Sequence, residues 1–131
     1  MAGEYLLDTN ILSGWYRGEI DVPARLTSGK SAFISSIVMG ELVYGLEGLS
    51  GNRKAILKAF LDDAFATLGF LSVNAETATL YGTIKNQLKV AGKPIPENDI
   101  WIAASARLHG FILVSRDAHF ASVEGLEYES W

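Results

Sequence analysis

Four short apolar runs, each ending on or just before a polar residue, alternate with longer stretches of helical spacing, and this alternation leaves the chain few folds. The runs Glu4–Leu7, Ala32–Ser35, Leu68–Val73 and Phe111–Ser115 read as strands, with a weaker fifth after Gly125. Strands joined through helices return to the same edge and pair in parallel. The expectation is an α/β fold with a central, mostly parallel sheet of four to five strands flanked by helices.

Between the runs, Ser36–Leu49 reads as a helix with Ser36 as N-cap, and Arg53–Ala66 as another, carrying Ile56, Leu57, Phe60 and Leu61 at helical spacing. Gly51-Asn52 is expected to form the turn between them. Ala75–Ala91 keeps Ala78, Tyr81, Leu88 and Ala91 on one period and ends at Gly92-Lys93-Pro94, while Glu97–Leu108 stops at His109-Gly110. No repeat, low-complexity segment or linker interrupts the series, so residues 1–131 are read as one domain.

Composition narrows the function. Apolar residues make up 49% and charged residues 20% of the 131, which excludes disorder. The longest apolar stretch, Ala32 to Leu46, is broken by Glu41, and Glu4 and Asp8 stand where a secretion signal needs a basic start. A soluble, cytoplasmic protein is therefore expected. With no cysteine, thiolate metal sites and Cys nucleophiles are ruled out. The 15 acids against 11 Lys and Arg give a net charge of −4, which argues at first sight against a phosphate-rich partner.

The acids, however, fall where ligands collect in open α/β sheets, beyond the carboxyl ends of the strands. Asp8 directly follows the first run, Asp117 follows the fourth by a Ser-Arg step, and Asp99 lies in the first turn of the last helix. Glu41 sits among Val38, Leu42 and Val43, where an unpaired carboxylate is costly. Each has an ordinary explanation as well. Asp8 could cap the next helix, Asp99 could answer the helix dipole, Asp117 could be a turn residue, and Glu41 could pair with a surface Lys. Gathered together, the four would repel unless a divalent cation neutralised them, and an oxygen-only set suits Mg²⁺ or Mn²⁺.

Four blocks carry a family resemblance: Tyr5-Leu6-Leu7-Asp8-Thr9-Asn10-Ile11-Leu12, Gly40-Glu41-Leu42-Val43-Tyr44-Gly45, Asn98-Asp99-Ile100-Trp101-Ile102-Ala103-Ala104 and Leu113-Val114-Ser115-Arg116-Asp117. In this order the chain resembles the PIN-domain ribonucleases, and among them the VapC-type toxins of toxin–antitoxin modules. The resemblance implies a three-layer α/β/α domain. It makes Asp8, Glu41, Asp99 and Asp117 the metal-binding set, with Thr9, Asn10, Asn98 and Ser115 as hydrogen-bonding groups that orient them. It also implies cleavage of RNA, with a tRNA such as the initiator tRNA, cut in its anticodon loop, among the substrates of close relatives, a VapB-type antitoxin as partner, and a homodimer. Ser115 stands where Thr is common, and Val38-Met39 replaces a position that often carries a hydroxyl.

Other residues are ambiguous from sequence. Arg116 could touch a phosphate or simply be solvated, and the same holds for Arg17 and for the stripe Lys85, Lys89, Lys93. His119, just past Asp117, is given no catalytic role, and Trp101 is expected in the core. The helix Ser36–Leu49 is apolar on more than one face, which calls for a second cover, either within the domain or from a partner. Two further readings stay open: a catalytically inactive PIN module that binds protein, and a Mg²⁺-dependent phosphatase. The phosphatase reading needs a second Asp two residues after Asp8, where Asn10 stands.

Overall fold

The computed structural model describes residues 3–27 and 29–131. Five strands form one sheet: β1 (Glu4–Leu7), β2 (Ser31–Ser35), β3 (Gly69–Leu71), β4 (Ile112–Val114) and β5 (Tyr128–Glu129). Their order is β3-β2-β1-β4-β5 and every neighbouring pair is parallel. The chain first winds one way from β1 through β2 to β3, then crosses to the other side of β1 to lay down β4 and β5. The sheet order therefore reverses between β1 and β4, and the crevice beyond their carboxyl ends is where such a fold accepts ligands.

Helices flank this sheet, as expected of an α/β/α fold: α1 (Thr9–Tyr16), α2 (Val22–Arg25), α3 (Ser36–Glu47), α4 (Gly51–Thr67), α5 (Ala75–Val90) and α6 (Glu97–His109). The core is continuous, with Leu6, Leu7, Ile34, Leu113 and Val114 of the strands sealed against Ile11, Leu12, Val38, Ile84 and Ile102 of the helices. The near-continuous apolar runs of β1 and β4 follow from burial on both faces. Among the described residues, no helix is long and apolar enough to cross a membrane.

Several local expectations need correction. Ser35, not Ser36, caps α3, its Oγ accepting from the Val38 amide, while Ser36 Oγ accepts from the Val73 amide and ties α3 to the chain leaving β3. Gly51-Asn52 is the start of α4 rather than a turn before it, with Gly51 at φ +60° supplying the sharp entry. Helix α1 goes unpredicted as an element, although Asp8 caps it. Short α2 also goes unpredicted, despite Asp21 as N-cap and Pro23 in its first turn. At the end of α6, Gly110 takes the left-handed conformation at φ +69°, the expected stop.

Trp101 is half-buried rather than fully in the core, its ring stacked on Tyr81 at 4.0 Å with 9° between planes. The second apolar face of α3 stays open in the chain itself: Val38 and Leu42 are buried, whereas Tyr44 is 83% exposed.

Candidate active site

Asp8 and Ser115 stand side by side because β1 and β4 are adjacent and in register at Leu7 and Val114, the first residue beyond each strand falling at the same edge. The Asp8 amide donates to the Val114 carbonyl at 2.9 Å, extending the pairing by one step. The residue Asp8 is 3% exposed, and each carboxylate oxygen accepts one hydrogen bond, from the Thr9 amide at 2.8 Å and from Ser115 Oγ at 2.7 Å, which leaves further lone pairs free. Capping a helix and serving a site are thus the same geometry here.

The Ser115 hydroxyl is saturated. It donates to Asp8 and accepts from Asn10 Nδ2 at 3.3 Å and from the Asp117 amide at 3.0 Å. Asn10 Oδ1 in turn accepts from the Arg116 amide at 3.1 Å, so the loop carrying Asp117 is tied back to α1 at two points. Ser115→Ala is expected to lower the catalytic rate by about 10- to 100-fold, because it frees Asp8 and the Asp117 loop together. Ser115→Thr keeps the hydroxyl and is expected to retain activity; single-turnover kinetics of both variants would show whether the hydroxyl matters.

Glu41 comes from the middle of α3 and Asp99 from the first turn of α6. Glu41 is held by neutral donors, not by a Lys: Thr9 Oγ1 donates to Oε1 and Asn98 Nδ2 donates to Oε2 at 3.2 Å. Thr9 and Asn98 thus bond to Glu41, Ser115 bonds to Asp8, and Asn10 reaches the site only through Ser115 and the Arg116 amide. Asp8, Glu41, Asp99 and Asp117 line one open pocket, together with Thr9, Asn10, Ser13 and Arg17. Among the described residues, no buried side-chain polar atom lacks a hydrogen-bond partner.

His119 is the residue that sequence reasoning underrated. It follows Asp117 in the short 3₁₀ turn Ala118–Ser122, and its Nε2 lies 2.7 Å from Asp99 Oδ2. No local pattern announces that contact, which spans 20 residues and depends on α6 lying beside β4. Arg116 and Arg17 both pair with Glu19, at 2.7 and 2.9 Å, and hold its carboxyl down at about 2. Gly14 makes this seat possible, since a Cβ there would stand 3.2 Å from the Arg116 guanidinium and 2.8 Å from Ile20. Lys85 is engaged with Glu97 at 2.7 Å on the outer face of α5.

Electrostatics mark the site. Burial pushes the Asp8 carboxyl up from 3.8 to about 6, against the lowering effect of the Ser115 and Thr9 hydrogen bonds, and the charges of Asp99 and Glu41 add to the rise. Burial also raises Asp99, with His119 pulling the other way and Asp117 and Glu41 reinforcing the rise. Oxygen donors crowded at the end of a sheet, with one imidazole beside them, are a donor set suited to a hard or borderline divalent cation.

A stability consequence follows. A carboxyl raised in the folded state binds its proton there first, so folding gains free energy as pH falls from 7 toward 5 and loses it as pH rises through the folded value. In EDTA, lowering the pH from 7 to 5 is expected to stabilise the protein by about 1 kcal/mol through Asp8 alone, with Asp99 acting in the same direction. The lowered carboxyls of Glu19, Glu47 and Glu97 oppose this only below their ordinary value of 4.5. Urea unfolding at the two pH values measures the difference, and a loss of stability on acidification would contradict the burial of an ionised Asp8.

Residues 5–126 match the PIN domain, and the chain belongs to the PIN-domain family. Its relatives there are VapC ribonucleases. It is 38% identical to Ribonuclease VapC2 of Haemophilus influenzae, with 98% of each chain covered, and 31% identical to the tRNA(fMet)-specific endonuclease VapC of Shigella flexneri, again with 98% of each covered. Among solved structures, VapBC2 from Rickettsia felis, bound to a DNA fragment from its promoter, matches with a TM-score of 0.88 at 28% identity over 98% of each chain.

Proposed function

We propose that this chain is a metal-dependent endoribonuclease, the toxin of a toxin–antitoxin pair, and that it hydrolyses RNA phosphodiester bonds at Asp8, Glu41, Asp99 and Asp117. The observation that carries this reading is the convergence of those four carboxylates, from four separate elements, on one open pocket at the sheet's reversal point. The VapC relatives named as ribonucleases support the reaction, and the one named for tRNA(fMet) supports a tRNA substrate, such as the initiator tRNA anticodon loop.

Asp8, Asp99 and Asp117 would hold Mg²⁺ or Mn²⁺, with Glu41 beside them. When bound, the ion supplies positive charge at the phosphate and a water of lowered pKa. The protein's own part is positioning. Ser115 aims the Asp8 carboxylate, while Thr9 and Asn98 clamp the two oxygens of Glu41. At the rim, Arg17 lines the same pocket, and Arg116 is braced against Glu19 nearby, so both can meet phosphates of the RNA backbone. Asn10 is occupied by Ser115 and the Arg116 amide, a supporting role that does not fit the nucleophile-and-acid pair of a phosphatase.

A VapB-type antitoxin fits the remaining surface. A groove lined by Leu12, Tyr16, Leu42, Leu57 and Phe60 opens directly beside Thr9 and Glu41, so an apolar segment laid in it would reach the acids. The exposed Val43 and Tyr44 of α3 supply apolar surface for a homodimer. The test of activity is incubation of total RNA with the purified protein. Cleavage is expected with Mn²⁺ or Mg²⁺ and none in EDTA; undiminished cleavage in EDTA would sink the metal-dependent reading.

A further inference from the structure

Beside the four carboxylates stands a donor of a different kind. His119 Nε2 lies 2.7 Å from Asp99 Oδ2, and Asp99, Asp117 and His119 each offer one ligand atom, all within 4.8 Å of one another. In an octahedral shell with bonds of about 2.1 Å, neighbouring donors lie about 3 Å apart and opposite ones about 4.2 Å. The 2.7 Å between His119 Nε2 and Asp99 Oδ2 is close to the spacing of neighbouring donors, and a small side-chain rotation within the 4.8 Å limit lets all three share one ion. The imidazole is also held in place, because Phe120, the next residue, is fully buried and pins the 3₁₀ turn.

We propose that His119 is a nitrogen ligand of the metal site, joining Asp99 and Asp117, and that it biases the site toward Mn²⁺ over Mg²⁺. The inference rests on the metal-dependent reading above and adds the donor that decides which ion is preferred. All-oxygen sets suit Mg²⁺, which binds nitrogen poorly, whereas imidazole favours first-row transition ions. The His119 imidazole is one-third exposed and already directed at Asp99, so an ion between them would take the place of their hydrogen bond. The other histidine, His109, cannot substitute for it. It ends α6, ten residues from Asp99 and thus about 15 Å along the helix axis.

The test uses tag-free, full-length protein loaded with less than one equivalent of Mn²⁺ and examined by electron spin-echo envelope modulation. Wild type is expected to show ¹⁴N modulation from a bound imidazole, and His119→Gln, which keeps a polar group facing Asp99, is expected to show none. By calorimetric titration, the ratio of Mn²⁺ to Mg²⁺ affinity is expected to fall by about tenfold or more in His119→Gln. Mn²⁺ bound without nitrogen coupling, or an unchanged affinity ratio, would overturn the proposal and leave His119 as a hydrogen-bond partner of Asp99, with the metal site intact. Failure of wild type to bind Mn²⁺ at all would overturn both this proposal and the metal-dependent reading. The wild-type spectrum decides the matter even if the variant folds poorly.

Discussion

Asp99→Asn protein is expected to cleave RNA more than about 100-fold more slowly than wild type while keeping its fold. Asp99 projects from the first turn of α6 into the pocket with only 13% of its side chain exposed, and its carboxyl is raised chiefly by burial. Its negative charge is thus held at a cost to the folded state, as expected of a group kept for chemistry. Asn preserves the volume and an acceptor for His119 but removes the charge that would hold a cation. Thermal unfolding in EDTA is expected to find the variant as stable as wild type or more so, in contrast to its activity. Cleavage at the wild-type rate would remove Asp99 from the site.

Replacement of Phe120 by Ala is expected to cost about 3–5 kcal/mol, a large share of the 5–15 kcal/mol typical of a folded domain. Phe120 is among the largest side chains with no exposed surface. It packs near Tyr128 of the edge strand β5, with ring centroids 6.2 Å apart. Its backbone belongs to the turn that carries His119 and follows Asp117, so the cavity would loosen two site residues as well as the core. A fall of several degrees or more in the midpoint of thermal unfolding, with a parallel loss of cleavage, is expected. Phe120→Leu should lose about 1.5 kcal/mol or less. A Phe120→Ala cost below 1 kcal/mol would mean that the turn is held by its hydrogen bonds alone.

The four acids were legible because each signal is local: an acid one residue past an apolar run, an acid in a first helical turn, an acid within an apolar helix. The parallel sheet was legible for the same reason, in the alternation of runs and periodic stretches. Helix α1 was not, because its eight residues contain Asn10, Ser13 and Gly14, poor helix formers kept for other contacts. Asn10 braces the Asp117 loop, and Gly14 leaves room for Arg116.

The partners of the acids were less visible than the acids. Thr9 and Asn98 meet at Glu41 from opposite directions in sequence, 32 and 57 residues away. Glu19 gathers Arg17 from two residues away and Arg116 from 97. Such contacts exist only once the sheet order has brought β1, α3 and β4 together, and no spacing rule along the chain encodes them. The net charge of −4 also reads differently with the site in view. Outside the four carboxylates, 11 acids balance 11 Lys and Arg, so the surplus is concentrated where a cation is proposed.

The chemistry of the cut ends tests the proposed role of the carboxylates most directly. With Mn²⁺ present, hydrolysis by an activated water in line with the leaving 3′ oxygen is expected to give fragments with a 5′-phosphate and a 3′-hydroxyl, made by wild type and not by Asp99→Asn. Fragments ending in a 2′,3′-cyclic phosphate, or equal amounts of product from both proteins, would contradict it.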